Sequence, residues 1–318
     1  MPHLARNTTF RDLMPRAAQN STAAATRTFK PMRDQIITLS SGRKLGYAEY
    51  GDPQGVPMFY FHGWPSSRLQ GEILDELGKK RGIRVIAPDR PGIGLSELQP
   101  GRTLLDWPRD LSELAKHLGW EQFHAVGVSG GGPYVLACAH ALPDRLLSAG
   151  VICGAPPLRD VGSRDLMWTY RLALWGQRHV PLLLAPGFMV AGQIMRLPPN
   201  SAVIRSFLNK LGQRDQLAMS NLKNFRILME SGRVALRSGT RCLSDDGNIY
   251  SSDWGIDLGT VNYPIRYWHG GLDKNIPPGL VGKFVQKIPG AKLRILEEDG
   301  HYSLAMLRNE EIVETLLG

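Results

Sequence analysis

The stretch His124–Val135, HAVGVSGGGPYV, sets one hydroxyl among glycines. An apolar run stops at Ser129, glycines stand on both sides, and a helix-like run follows. G-x-S-x-G between a strand and a helix is the setting that holds a serine on a strained turn as a nucleophile. The positions two residues to either side must then lack a β-carbon. The hydroxyl would also stand at a helix N-terminus, which favours developing negative charge. A plain Gly-rich connection is the competing reading, and the partners decide between them. A hydroxyl is a weak nucleophile at neutral pH and needs a base. His301, in Glu298-Asp299-Gly300-His301, lies four residues past an expected strand at 292–297 and can serve. The base needs a carboxylate to fix its tautomer. Asp273, in the run WHGGLD after an expected strand at 264–269, meets that need. Asp299 is the other acid in reach, but two residues before His301 it reads as a turn cap. Glu298 reads as a solvated loop residue. A tetrahedral intermediate also requires donors for its oxyanion. The N–H of Gly130 is one candidate. The N–H of Trp64 is the other, in the loop HGWPSS at 62–67, where Gly63 lets the backbone turn toward the site.

These residues need a frame. Past residue 33 the chain alternates between short β-rich runs and helical ones. Expected strands are 35–40, 44–50, 57–62, 83–87, 123–128, 148–153, 264–269 and 292–297. The first two alternate like an antiparallel hairpin. The later ones are apolar throughout, as strands buried on both faces of a parallel sheet should be. Helices are expected at 67–81, 104–118, 131–141, 278–287 and 303–316. The pattern specifies an α/β protein with a mostly parallel sheet of eight strands flanked by helices. Residues 156–255 break the alternation, with helical segments, no convincing strand, and Pro181, Pro186, Pro198 and Pro199 as punctuation. We read them as a helical lid inserted over the C-terminal edge of the sheet, where open α/β sheets bind ligands. The core is then 34–155 with 256–318. Within the lid, Trp168, Tyr170, Phe188 and Met189 are candidate substrate-binding residues, together with Trp64 and Tyr302.

Composition narrows the function. With 42% hydrophobic and 21% charged residues in 318, the chain suits a globular protein with a large core. The net charge of +9 is unevenly placed. Residues 1–33 carry six Lys/Arg against one acid, and 154–255 carry thirteen against seven, so the rest is slightly acidic. No basic stripe interleaved with aromatics appears, which argues against a nucleic-acid partner. Cys138, Cys153 and Cys242 have no C-x-x-C or zinc spacing, and their odd number fits a reducing compartment. No metal and no cofactor is implied. The most apolar segment, 180–195, is short and broken by Pro186 and Gly187, so stable membrane insertion is not expected. Residues 1–33 lack the apolar core of a secretory signal. Pro15 interrupts their only amphipathic stretch. A disordered tail on a cytoplasmic protein is the plainer reading, and a mitochondrial transit segment the alternative. The expected partner is a small-molecule substrate, with the chain a monomer or homodimer.

From about residue 35 onward the sequence resembles the lid-bearing α/β-hydrolase superfamily. The resemblance rests on HGWPSS (62–67), APDRPGIGLS (87–96), GVSGGG (127–132), WHGGLD (268–273) and DGH (299–301). The order Ser129, Asp273, His301 is that of the fold's triad. The H-G-x-P loop is similar to that of epoxide hydrolases and haloalkane dehalogenases, but those place an aspartate at the elbow, and Ser129 argues against both. With a serine elbow the loop is also similar to that of esterases, lactonases and perhydrolases. The resemblance implies hydrolysis of an ester, thioester or lactone of a fairly apolar small molecule. Acyl transfer, perhydrolysis, a lyase reaction or a non-enzymatic receptor role are the alternatives. In such loops the Trp64–Pro65 peptide is often cis. His62 is expected to brace the oxyanion loop and His269 to be packed, while Asp89 and Arg90 hold loops by charge-assisted hydrogen bonds.

Overall fold

The computed structural model describes residues 34–180 and 183–318. The 1–33 segment, read above as a tail or transit segment, lies outside the described residues, as do Pro181 and Leu182 of the insert.

Eight strands form one sheet: β1 (Asp34–Thr38), β2 (Lys44–Gly51), β3 (Val56–Phe61), β4 (Ile83–Pro88), β5 (Phe123–Val128), β6 (Leu146–Ile152), β7 (Ile265–Gly270) and β8 (Ala291–Leu296). Their order is β1-β2-β4-β3-β5-β6-β7-β8. β1 pairs antiparallel with β2, β2 antiparallel with β4, and every later pair is parallel. The central strands are apolar because both their faces are covered, and all six residues of β5 are buried. One face holds Phe59, Trp120 and Phe123, with the Phe59 ring centroid 4.8–5.0 Å from the other two. The other face packs Met58, Val126 and Trp268 against the C-terminal helices.

The core helices are α1 (Asp75–Arg81), α2 (Trp107–His117) and α3 (Gly132–Ala141). Local chemistry sets their ends. Asp75 and Glu76 open α1 and three basic residues close it, in keeping with the helix dipole, before Gly82 turns the chain at φ 64°. Between β6 and β7 the chain leaves the sheet and forms α4 (Leu158–Val161), α5 (Trp168–His179), α6 (Leu184–Ile194), α7 (Ala202–Leu208), α8 (Gln213–Ser220), α9 (Leu222–Arg237) and α10 (Thr240–Ser251). Ser201 caps α7 and Asn221 caps α9 through their side-chain oxygens. No strand lies in this segment among the described residues. After β7 come α11 (Pro278–Val285), α12 (His301–Leu307) and α13 (Asn309–Leu317).

One expectation is corrected. The helix expected at 303–316 is two helices, broken at Arg308, whose φ of −113° and ψ of 6° leave the helical region. The Arg308 guanidinium bonds Asp299 at 3.1 Å and turns back toward the loop that precedes α12.

Candidate active site

β5 ends at Val128, and Ser129 turns the chain at φ 54°. Only Cys153 shares a positive φ among the described non-glycine residues. Such a conformation is costly for a side chain and persists only where the surroundings impose it. The glycines are imposed by space. A β-carbon on Gly127 would lie 2.5 Å from the Gly131 carbonyl oxygen, and one on Gly131 would lie 2.2 Å from that of Phe61. The G-x-S-x-G spacing is thus a packing demand of the turn. Gly130 stands in the first turn of the following helix, where an N–H has no intrahelical acceptor.

Asp273 and His301 meet beyond the ends of β7 and β8. His301 Nδ1 and Asp273 Oδ2 are 2.7 Å apart. Asp273 Oδ1 accepts the N–H groups of Asn275 and Ile276 at 2.8 and 2.9 Å, so the carboxylate is fixed at both oxygens. Burial opposes the charge of Asp273, but the facing His301 ring outweighs it and holds the carboxyl below its ordinary range. Burial likewise opposes a charge on His301, and Asp273 outweighs it, so the imidazole is raised above its ordinary value. Among the described residues no hydrogen bond joins His301 to the Ser129 hydroxyl, a link that in such sites often tightens only with substrate in place. His269 is packed, its Nε2 donating to the Ile276 carbonyl at 2.8 Å. Asp299 is buried but is taken by Arg214 and Arg308, and Glu298 is exposed.

A buried acid of the insert completes this half of the site. Asp215, in α8, accepts three N–H groups from the first turn of α12: His301 at 3.1 Å, Tyr302 at 3.1 Å and Ser303 at 2.8 Å. The approach is so close that a β-carbon on Gly300 would fall 2.4 Å from the Asp215 carboxylate. Nothing local in the sequence marks Asp215, since its partners lie 86–88 residues away.

The loop 62–67 faces Ser129 from β3, and its Trp64–Pro65 peptide is cis, as expected. His62 is fully buried and bonds Gly63 through Nδ1. Burial and then the Arg90 charge push its pKa well below the ordinary value, so it stays neutral and braces the loop. Arg90 donates to the His62 and Gly63 carbonyls at 2.6 and 2.8 Å, and its Nε reaches Asp246 of α10 at 2.9 Å. Asp246 also takes Arg102 and the Tyr134 hydroxyl. Burial opposes the Asp246 charge, but Arg90 and Arg102 win and lower it to about 2. Gln70 accepts the Gly63 N–H at 2.7 Å, and Ser231 of α9 bonds Ser66 Oγ at 2.7 Å and the Ser67 N–H at 2.9 Å. Asp89 holds Arg68 instead of Arg90. The Trp64 N–H has no protein acceptor among the described residues.

A small apolar cavity lies over Ser129 and Gly130, walled by Trp64, Tyr170, Leu174 and Tyr250 among others, with about 40 Å³ open to the centre of a water molecule. That is room for a few waters or a short acyl chain. Of the residues read as substrate-binding, Trp64 and Tyr170 line it. Trp168 and Met189 are 63% and 69% exposed, outside it. Phe188 packs beside Ile93 and Leu236, and Tyr302 beside Met306. The Tyr250 hydroxyl donates to the Gly130 carbonyl at 3.0 Å, a contact between residues 120 apart that no local pattern marks. Cys153, Asp273 and His301 bring three potential metal-ligand atoms within 4.8 Å of one another, but the Asp273–His301 hydrogen bond already uses two of them.

A mostly parallel sheet with a strained serine after its fifth strand, an acid after its seventh and a histidine after its eighth defines an α/β hydrolase. The model of the alpha/beta hydrolase family matches residues 58–315, and the chain belongs to that family. It is 25% identical over 299 residues to a non-heme chloroperoxidase of Kitasatospora aureofaciens, a match covering 87% of this chain and 94% of that protein. It is 32% identical over 125 residues to a non-heme chloroperoxidase of Streptomyces lividans, but covers 38% of this chain and 45% of the relative, under half its length. A bifunctional esterase/perhydrolase of Acinetobacter calcoaceticus is 30% identical over 124 residues, 38% of this chain and again 45% of the relative. Among solved structures, an esterase from Exiguobacterium antarcticum has a TM-score of 0.62 at 18% identity, covering 89% of this chain and 97% of its own, which shows the shared fold.

Proposed function

We propose that this hydrolase cleaves a carboxylic ester, thioester or lactone of a small, fairly apolar molecule through an acyl-enzyme on Ser129. The observation that carries the proposal is the strained Ser129 facing an apolar cavity, with a buried, charge-coupled Asp273–His301 pair at the neighbouring strand ends. His301 Nε2 takes the Ser129 proton as Oγ attacks the carbonyl carbon, and Asp273 holds the Nδ1–H and stabilises the imidazolium. The N–H groups of Gly130 and Trp64 receive the oxyanion. The intermediate collapses, the bond to the leaving group breaks, and His301 returns the proton to that group. A water, deprotonated by His301, then attacks the acyl carbonyl and frees Ser129. The helices of 156–255 act as the lid, with Tyr170 and Leu174 as its wall over the site. The narrow cavity supports a short or slender acyl group.

Perhydrolysis is the second reading, favoured by relatives named as perhydrolase and haloperoxidases. The same acyl-enzyme would be taken by hydrogen peroxide in place of water, giving a peracid and free Ser129. A fluorophosphonate probe and a panel of acyl esters of graded length, applied to the parent and to Ser129→Ala, test both. Labelling and turnover in the parent alone are expected. Equal turnover in the two would refute the role of Ser129. Added peroxide that diverts product from acid to peracid would select the second reading.

A further inference from the structure

The outer surface of the insert exposes side chains that a free surface ordinarily hides. The inward face of α5 carries Tyr170 and Leu174, which line the cavity. Its opposite face carries Trp168, Leu172 and Trp175, which are 63%, 56% and 53% exposed. Arg171 and Arg178, both exposed, fall on that same face by the three- and four-residue spacing of a helix. Arg164 stands exposed just before the helix. None of these three arginines has an ion-pair partner among the described residues, whereas Arg159 nearby is held by Asp253. On the neighbouring α6, Met189 and Val190 are also exposed, at 69% and 60%. A broad groove of about 1330 Å³ runs along this face. Leu158 and Leu174 belong both to the groove and to the cavity over Ser129, so one layer of side chains separates the two.

Charge selects the occupant. Of the insert's seven acids, Asp215 and Asp246 are buried in the site, and Glu230 and Asp253 are paired to arginines. Among the described residues Asp165 is the one acid that lines the groove, against Arg159, Arg164, Arg171 and Arg178, so the face carries a net positive charge. The chain's own residues 1–33 carry six basic residues against one acid and are repelled by it. A second copy would bring the same cations. The face therefore suits an anionic surface that also accepts indole and leucine side chains. Trp and Leu among Arg on one helical face is the chemistry of an element lying in the headgroup layer of an anionic bilayer. The 12 residues of α5 span about 18 Å, suited to lying along a surface, and among the described residues no helix is long and apolar enough to cross one.

We propose that the outer face of α5 docks this protein on a lipid surface rich in anionic headgroups, with Trp168, Leu172 and Trp175 entering the interface and Arg164, Arg171 and Arg178 pairing with lipid phosphates. Docking places the groove against the lipid, one side-chain layer from the cavity. It requires no turnover and stands apart from the proposed reaction.

Co-sedimentation of the full chain with phosphatidylcholine vesicles, with and without one-third phosphatidylglycerol, tests this. Binding should be at least about tenfold stronger with phosphatidylglycerol and should weaken as salt rises. Arg171→Glu with Arg178→Glu should lose about tenfold or more of that binding while melting and cleaving a short soluble ester as the parent does. Trp175→Ala should weaken the binding that survives high salt. Ser129→Ala should bind as the parent does, so that a failed reaction and a failed docking are told apart. Equal affinity for both vesicles, no binding to either, or full binding by the double variant, as attachment through residues 1–33 would give, overturns the proposal. So does self-association that shields Trp175 from a soluble quencher, or retention on a polyanion resin without vesicle binding.

Discussion

Replacing Asp215 tests whether the insert sets the position and charge of His301. The Asp215 carboxylate accepts the N–H groups of His301, Tyr302 and Ser303 at 2.8–3.1 Å, and it is 3% exposed. In Asp215→Ala those three donors lose their acceptor. One N-cap contributes about 1 kcal/mol, and each buried donor left unpaired costs about 1–3 kcal/mol. Water entering the space left by the carboxylate satisfies some of them, so a loss of about 2–4 kcal/mol follows. Asp215→Asn keeps one acceptor oxygen, which can hold the Tyr302 and Ser303 N–H groups, but sets its amide NH2 against the His301 N–H, and should cost about 1–3 kcal/mol. The catalytic consequences differ in kind. Alanine frees the start of α12, and a displacement of the base by about 1 Å is worth about a hundredfold in rate. Asparagine disturbs the start of α12 less than alanine does, and it removes a negative charge that adds to the raising of the His301 pKa, after the larger effect of Asp273. The neutral base then survives to lower pH. The acid limb of kcat/KM, which in the parent lies above the ordinary histidine value of 6.5, should move toward lower pH in the asparagine variant. Burial raises the Asp215 carboxyl itself, so the profile is best read against Asp215→Glu, which keeps the charge. His269, Asp273, Asp215, Cys153 and Tyr302 are the titratable groups beside His301, and only Asp215 is changed. The assay is a pH–rate profile on a chromogenic ester, with denaturant unfolding of each variant. An alanine variant with the parent's stability and rate would refute the structural argument. An acid limb that moved to higher pH in Asp215→Asn would refute the electrostatic one.

Asp246→Asn should cost about 3–5 kcal/mol at neutral pH, because it strips the charge that pairs two buried arginines. With its carboxyl at about 2, Asp246 contributes stability that is complete above its unfolded pKa of about 3.9 and is lost as pH falls toward 2. The variant should therefore show a flatter stability curve over that window in denaturant titrations. Gly130→Ala places a β-carbon 2.5 Å from the Tyr250 hydroxyl and 2.9 Å from Trp64 Cβ. An overpacking cost of about 1–3 kcal/mol and a collapse of kcat are expected, with partial recovery when Tyr250→Phe removes the nearest atom. Recovery of nothing would place the damage in the backbone. Leu174→Ala, which widens a cavity of about 40 Å³, should move the preferred acyl length upward by about two carbons on a graded ester panel. An unchanged length profile would mean that the acyl chain does not lie along α5.

The frame was legible because burial writes itself into composition. β3 to β7 read as mostly apolar runs because both their faces are covered over most of their length, with polar residues such as Arg84 and Arg266 at the less buried strand starts. The turn at Ser129 was legible because its glycines are demanded by contacts only a few residues away in sequence or on the adjacent strand. The insert was legible as helix but not as a surface. Trp168 and Tyr170 stand two residues apart on one helix, about 200° around its axis, and cannot both look inward. Spacing alone showed that one of the pair must turn away, but which one depends on the packing of α5 over Leu158 and Tyr250. Asp215, Asp246, Gln70, Ser231 and Tyr250 were invisible because each acts on a partner set by tertiary geometry. Asp246 and Arg90 are 156 residues apart, and Ser231 and Ser66 are 165 apart. The break at Arg308 escaped a period-based reading because the apolar rhythm of 303–316 runs on through it.

Among its contacts with the rest of the molecule, the insert grips both halves of the site, Asp215 at the backbone that begins with His301, and Asp246 with Ser231 at the loop that bears Trp64. It therefore behaves as a keystone rather than a cover. Chimeras that import the corresponding segment from another α/β hydrolase would dismantle both halves of the site unless the donor brings acids at these two positions. Conversely, transplanting this segment alone would carry two buried carboxylates into a host without the arginines and amide groups that receive them. The boundary along which such proteins can be recombined thus runs not through the loops at 155 and 256 but around these contacts, and any exchange of specificity must move them as one set.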